Sequence, residues 1–545
     1  MNNLFNLAKS GLNVGQSALN VVGSNLTNGM SPTYSRRDMV IGESGGLATA
    51  QGFYGYGAKV SSVNRAYDAF ANSQLRNSVS SWAALKGRDE QLAEIDDMLG
   101  NVSDNVSVSL NDLFKAMANL SENASDGPSR AAVFSSLGVL TQRFNESGKR
   151  LDGLEKSANI QIEQSVKDIN NFTEQLAEIN KQLERVQAQN GTPPADLLDQ
   201  RDDLLEKLSE QIGIQVNENK ISGRIDVSLA DGRPLVFGED SYKLVSSPSS
   251  SDPNKNSVSY LNKDGNAETI NESSLTKGRL AGLFTFRNED LVLARHELDQ
   301  IAFQMASRFN EQHHQGFQPN GTPGGNLFKL PDMQAIANSK NNGAGNLSNG
   351  KIQDYTKVKA EDYTVSFDGT GWSVTGVDGR TVPVTMTGNT LAFEGIEIDV
   401  PATAVNAGDT FRLNPIAGAA AGIGREITSA QDIAASDTAA GGNSNNGNLE
   451  SMLEIQDEKL VGNNSLTEAY SRLVGTIGAN AKGVHSSITS AEIDLNTKYE
   501  TKQALSGVDM NEETVNMQMF LQYYQANAQL LQTATSLFDT LLSIR

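Results

Sequence analysis

Both ends of the chain carry a heptad repeat, and nothing else in the sequence limits the possible folds so tightly. Near the N-terminus Phe5, Leu12, Leu19 and Leu26 recur every seven residues, with Ala8, Gly15 and Val22 each three residues behind one of the first three. Apolar residues at alternating spacings of four and three share one helix face and form a coiled-coil seam. The repeat predicts a helix of about 40 Å at 1.5 Å per residue. Asn28-Gly29 and then Pro32 stop it. At the C-terminus Met517, Leu521, Tyr524, Ala528, Leu531, Thr535, Phe538 and Leu542 keep the same alternation without a gap.

The outer faces of these helices lack the usual charge. Lys9 is the only charged side chain in the first 35 residues, and Asp539 and Arg545 are the only ones in 514–545. A helix packed on one side normally keeps a charged face for water. Here Asn, Gln, Ser and Thr stand in that place, so each helix is expected to be covered on its outside as well. Within one chain the two ends cover only each other; neighbouring copies supply the rest. Phe5, Leu12, Leu19, Val22, Leu26, Met517, Leu521, Tyr524, Ala528, Leu531, Phe538 and Leu542 are therefore the expected polymerisation contacts. Helices of this kind are marginal alone in water, which predicts ends that fold on docking.

Between the ends, Ile162, Val166, Ile169, Phe172, Leu176, Ile179, Leu183 and Val186 form a third seam, ended by Asn190-Gly191-Thr192-Pro193-Pro194. A further helix carries Leu197, Leu204, Leu208 and Ile212, and Ser465 with Glu468 makes a capping box ahead of another. Two stretches alternate like strands. One includes Gly223–Leu229 with a turn at Asp231-Gly232; the other includes Tyr363–Phe367, Trp372–Val374 and Thr381–Val384, with turns at Asp368-Gly369 and Asp378-Gly379. The expected class is multidomain α+β: a discontinuous, elongated α-helical bundle built from the N- and C-terminal parts, with two inserted β-rich domains. The expected borders are 1–38 with 505–545 for the terminal coiled coil, and 39–213, 281–316 and 446–504 for the α-helical body. A small β-rich domain takes 214–280 and an outer one 317–445, whose Gly/Asn/Ala-rich end (416–448) reads as a flexible return.

A net charge of −21 disfavours nucleic acid, which needs clustered Lys and Arg, and equally an anionic membrane surface. No run of about 18 apolar residues predicts a membrane span. The first residues do not form a secretory signal peptide. The absence of cysteine removes disulfides, thiol nucleophiles and thiolate metal sites together. Gly42-Glu43-Ser44-Gly45-Gly46 matches a nucleophile elbow formally, but Gly52, Gly55 and Gly57 follow where the elbow requires a helix. His313-His314 is the only histidine pair, and adjacent helical residues point about 100° apart, so they cannot chelate together. The pairs Asp96-Asp97 and Asp202-Asp203 read as solvated helix faces. We expect no catalytic, cofactor or metal site, and a structural protein in place of an enzyme.

Leu19–Asn28, followed by Pro32, Tyr34, Ser35 and Arg36, resembles the N-terminal signature of bacterial flagellar axial proteins. Ser506–Glu513 and Gln522–Ala528 resemble their C-terminal one. Within that group, Asp196–Asp202, Asn310–Gly316 and Ala407–Pro415 resemble the FlgK family of hook-associated proteins over essentially the whole chain. Two positions depart from the pattern: Thr27, and Thr33 where the family usually has Gly. The resemblance implies a structural subunit at the hook–filament junction, outside the cell and exported unfolded by the flagellar type III apparatus. It implies a cytoplasmic chaperone on the C-terminal helix around 505–545, and terminal helices that line an inner tube. It implies a closed ring of about eleven copies, with hook protein below and the second hook–filament junction protein above. Neighbouring expectations are that second junction protein or the hook protein itself; a secreted coiled-coil adhesin or translocator is the reading outside the group.

Overall fold

The computed structural model describes residues 2–49, 52–101, 105–190, 192–442 and 444–543. Helix α1 (Asn2–Asn28) leads into strands β1 (Arg37–Glu43), β2 (Gly46–Thr49), β3 (Gly52–Gly55) and β4 (Ala58–Arg65). Helices α2 (Ala69–Leu99), α3 (Val106–Glu122), α4 (Gly127–Asn190) and α5 (Ala195–Gln211) follow. Next come β5 (Ile214–Glu218), β6 (Ile225–Leu229), β7 (Pro234–Phe237), β8 (Asp240–Ser241), β9 (Leu244–Pro248), β10 (Asn256–Leu261) and β11 (Ala267–Thr269). Helices α6 (Arg279–Thr285) and α7 (Leu291–Gln315) precede eleven short strands, β12 (Phe328–Lys329) to β22 (Gly424–Arg425), with α8 (Ala419–Gly422) just before the last. The chain ends in α9 (Gly447–Glu454), α10 (Leu466–Ser506) and α11 (Met510–Ser543). The discontinuous helical bundle with β-rich insertions is the class expected from sequence.

The fold divides into two compact units. The first takes Met1–Ala83, Asp168–Lys243 and Thr489–Arg545; the second takes Ala84–Lys167 and Leu244–Ile488. Residues 214–280, expected as one small β-rich domain, accordingly form two sheets, β5-β6-β7-β8 in the first unit and β11-β10-β9 in the second.

In the first unit, β1 pairs with β4 and β2 with β3, both antiparallel, so Arg37–Arg65 is one long two-stranded ribbon. It lies inside the stretch expected to be helical. Gly42, Gly45 and Gly46 are not an elbow: they carry the ribbon across a break bridged by Ser44 N–H to Gly57 O and Tyr56 N–H to Gly45 O, each 2.8 Å. Asn180 of α4 is fully buried and acts as a strand substitute. Its Nδ2 donates to the carbonyls of Ile225 (2.7 Å) and Gly238 (2.6 Å), and its Oδ1 accepts from Ile225 N–H. A buried amide with all three groups satisfied fixes the sheet's position on the helix at little desolvation cost.

The second unit is cored by Phe114, Phe309 and Phe328, packed ring against ring. Two antiparallel sheets make the larger β-rich part: β13 (Ala335–Ala337), β21 (Thr410–Leu413), β15 (Tyr363–Phe367), β16 (Trp372–Gly376) and β17 (Thr381–Val382) in that order, and β14 (Ser348–Ile352), β20 (Ile396–Asp399), β19 (Thr390–Phe393) and β18 (Thr385–Thr387). Gly369 and Gly379 take positive φ at its two Asp-Gly turns, as the sequence signals. The capping box forms: Ser465 N–H donates to Glu468 Oε2 (2.8 Å) and Glu468 N–H to Ser465 Oγ (3.4 Å). The stretch 416–448 is not a loose return. Ala419, Ala420, Ile423, Ile433, Ala434 and Ala435 within it are buried, small side chains allowing the backbone to sit deep in the unit.

Candidate assembly interface

Helices α1 and α11 lie antiparallel: Gly11 faces Asn527, Gly15 faces Tyr524 and Gly29 faces Val508. The buried residues of α1 are Ala8, Gly11, Val14, Gly15, Ala18, Val22 and Asn25. Apart from Val14 they alternate by three and four, along a line rotated from the large residues toward the small ones. Of the predicted N-terminal contacts, Val22 is buried, Leu12, Leu19 and Leu26 are half-buried, and Phe5 is exposed. On α11 Glu513 and Ala534 are buried, Asn527, Ala528 and Leu531 are half-buried, and Met517, Leu521, Tyr524 and Phe538 are exposed. The Leu542 side chain lies outside the described residues. The physical reason is steric: glycine and alanine let two backbones approach closely, so the pair closes on them and leaves the bulky apolar side chains facing outward. Ala8, Gly15 and Val22 belong to the repeat read from sequence; Gly11 and Ala18, which complete the line, were not singled out because small residues score weakly in a search for hydrophobic seams. The ends, expected to be unfolded before docking, are in this structure paired with each other.

The signature residues after α1 hold the chain to this pair. Asn25 is 1% exposed. Its Oδ1 accepts from Arg37 N–H and Tyr34 O–H, both 2.9 Å, while its Nδ2 donates to Arg37 O at 3.0 Å. One amide side chain thus ties the end of α1 to the root of the ribbon. Arg36 N–H donates to Ser506 O (2.8 Å), and its guanidinium reaches Glu512 Oε2 (3.3 Å), joining the N-terminal signature to the C-terminal one. Asp509 caps α11, accepting from Asn511 N–H at 2.8 Å and Glu512 N–H at 3.2 Å. Thr33 is not among the residues at positive φ, so the departure from Gly causes no backbone strain.

A second clasp comes from the Asp196–Asp202 motif on α5. Asp199 receives Arg37 Nη2 at 2.5 Å and Arg65 Nη1 at 3.0 Å, one from each strand of the ribbon root. Asp202 takes the other arm of Arg65 and the Arg201 guanidinium, both at 2.7 Å. Asp202 is therefore not a solvated face residue: its side chain is 12% exposed. Arg201 is fully buried and also reaches Glu218 Oε1 (2.7 Å) and Gly223 O (2.5 Å). Burial opposes its charge, but Asp202 and Glu218 outweigh that and raise its pKa. Tyr67, stacked under Arg65 and bonded to Glu218, is pushed up to about 12, first by burial and then by Asp202 and Glu218.

In the second unit, His313 and His314 turn to different partners. Ala434 N–H donates to His313 Nε2 (2.8 Å), so Nδ1 carries the proton and donates to Gly325 O (2.6 Å). His314 contacts Asn326 Oδ1 instead. Burial holds the His313 pKa below its ordinary value. The pair is a loop anchor, and no cluster of metal-binding side chains occurs among the described residues.

Comparison with known proteins follows the whole chain. Residues 92–328 match the profile of the flagellar hook-associated protein FlgK helical domain, 336–415 a flagellar hook-associated protein 1 D2-like domain, and 503–544 the flagellar basal body rod FlgEFG protein C-terminal profile. Flagellar hook-associated protein 1 of Salmonella typhimurium is 36% identical over 555 residues, covering 100% of both chains. The Escherichia coli protein of that name is 35% identical over 551 residues, again covering 100% of both; the Bacillus subtilis one is 24% identical over 98% of this chain and 97% of its own. The flagellar hook junction protein FlgK from Burkholderia pseudomallei has the same fold, with a TM-score of 0.73 at 23% identity over 79% of this chain and 100% of its own.

Proposed function

This chain belongs to the FlgK family of flagellar hook-associated proteins, and from that membership we propose that it is a structural, non-catalytic subunit that polymerises through its terminal helices at the junction between hook and filament. The observation that carries the mechanism is the face left over when α1 and α11 pair. Met517, Leu521, Tyr524 and Phe538 on one side of α11, and Phe5 on α1, remain exposed on helices that are almost free of charge. An apolar surface of this kind on a soluble chain marks a contact site. Copies of the chain cover it in a closed ring of about eleven, with hook protein on one side and the second junction protein on the other. The cytoplasmic export chaperone shields the C-terminal helix before the unfolded chain leaves by the flagellar type III route, to reside outside the cell.

Deleting the gene tests this reading. Hooks should persist, filaments should fail to attach, and flagellin monomers should accumulate in the medium. Filaments still seated on hooks in the deletion strain would sink the proposal.

A further inference from the structure

The ribbon Arg37–Arg65 has work left to do once its root is accounted for. Its root is clamped by Asn25 and Asp199, and it returns along α1, where Gly57 sits so close to Ser10 that a Cβ would collide. Beyond that the strands stand free, with Leu47, Phe53, Tyr54 and Tyr56 exposed, while Val40, Ile41 and Val63 are exposed on the stretch beside α1. Between Glu43 and Lys59 there is no charged residue. Leu47 lies directly opposite Tyr54 in the register, and Ala48 opposite Phe53, so the two pairs display apolar groups on opposite faces of the ribbon. An isolated two-stranded ribbon is marginal in water, and one with apolar faces on both sides needs a partner.

We propose that the outer half of this ribbon docks on the exposed face of α11 in a second copy of this chain. The choice of occupant follows from desolvation. A charged partner surface would lose its hydration against a ribbon tip with no charge to offer in return. The exposed α11 face, with Met517 and Leu521 one turn apart and no charge between Glu513 and Asp539, loses little on meeting it. The two surfaces differ from one another, so the contact is head-to-tail and repeats from copy to copy, as a ring requires. The root clamp holds the ribbon as a projecting arm. This inference rests on the assembly reading given above, and it adds which segment bridges neighbours.

The chain has no cysteine, so introduced thiols are unique. Leu47→Cys with Leu521→Cys, and Tyr54→Cys with Met517→Cys, are expressed in the deletion strain, and isolated hook–filament junctions are treated with a short bismaleimide. A ladder of dimers and larger multimers of this chain, at least tenfold above each single-cysteine control, is the expected result. Tyr54→Glu should cut filament attachment at least tenfold while leaving the tryptic pattern of the purified protein unchanged. Filaments attached with no ladder from either pair, cross-links only to hook protein, or normal attachment with Tyr54→Glu would each overturn this inference and leave the assembly reading standing. Filaments that attach to hooks without this chain overturn both.

Discussion

Asp199 is the residue whose neighbours matter most to the first unit, because it closes two ion pairs on opposite strands of the ribbon root. Breaking a mostly buried pair by removing one partner costs about 3 kcal/mol. Asp199→Asn should therefore loosen the root and open trypsin cleavage at Arg37 and Arg65, while Asp203→Asn, whose exposed partner is Lys207, should change neither. Equal cleavage of both variants would refute the clamp. His313 governs a different response. Its folded pKa lies below the ordinary 6.5 because burial disfavours the charged ring, outweighing the bond to Gly325 O that favours it. The unfolded chain therefore binds the proton more readily, so the stability this residue contributes is full above about pH 6.5 and falls as pH drops toward the depressed value. Thermal unfolding at pH 7.5 and 5 should show a larger loss for the native protein than for His313→Gln; matching slopes would exclude His313 as the source.

The α1–α11 pair behaves as an element with a size rule. A Cβ at Gly15 would stand 3.3 Å from Tyr524 Cβ and 3.4 Å from Tyr524 Cα, the latter backbone that cannot swing aside. Gly15→Leu should push the helices apart at a cost of about 1–3 kcal/mol, read as faster amide exchange throughout α1. Gly11→Ala meets only the Asn527 side chain, which can rotate away, and should change exchange little. How much of this was legible in the sequence depended on side-chain size and on distance along the chain. Helices, caps and Asp-Gly turns are local, so Ser465–Glu468 and the turns at Gly369 and Gly379 could be read directly. The coiled-coil repeat was readable too, but its rotation was not, because large residues dominate a periodicity while backbone approach is decided by Gly11, Gly15 and Ala18. The ribbon was missed because its pairing of Arg37 with Arg65 joins positions far apart through a glycine-rich stretch of weak alternation. Asp202 read as a solvated helix-face acid until Arg65 and Arg201 were brought to it.

For the whole molecule, charge and assembly are separated. The net charge of −21 lies outside the apolar faces of α1, α11 and the ribbon tip, so the assembly proposed above has copies that repel at long range and adhere through uncharged contacts. Raising ionic strength from about 0.05 M to about 0.5 M shortens the screening length severalfold. Association measured by sedimentation should therefore strengthen with salt. An interface held by ion pairs would weaken, and that outcome would contradict the assembly surface described above.

The Gly and Ala line between α1 and α11 has one more consequence. Side chains seated in notches fix both the spacing of two helices and their axial register, and Asn527 against Gly11 and Tyr524 against Gly15 are seats of that kind. Register is set again at one end, where Arg36 meets Ser506 and Glu512 and Asn25 grips the turn. The pair is thus a rod keyed at its root and along its length, so a pull on either helix is carried to the other without slip.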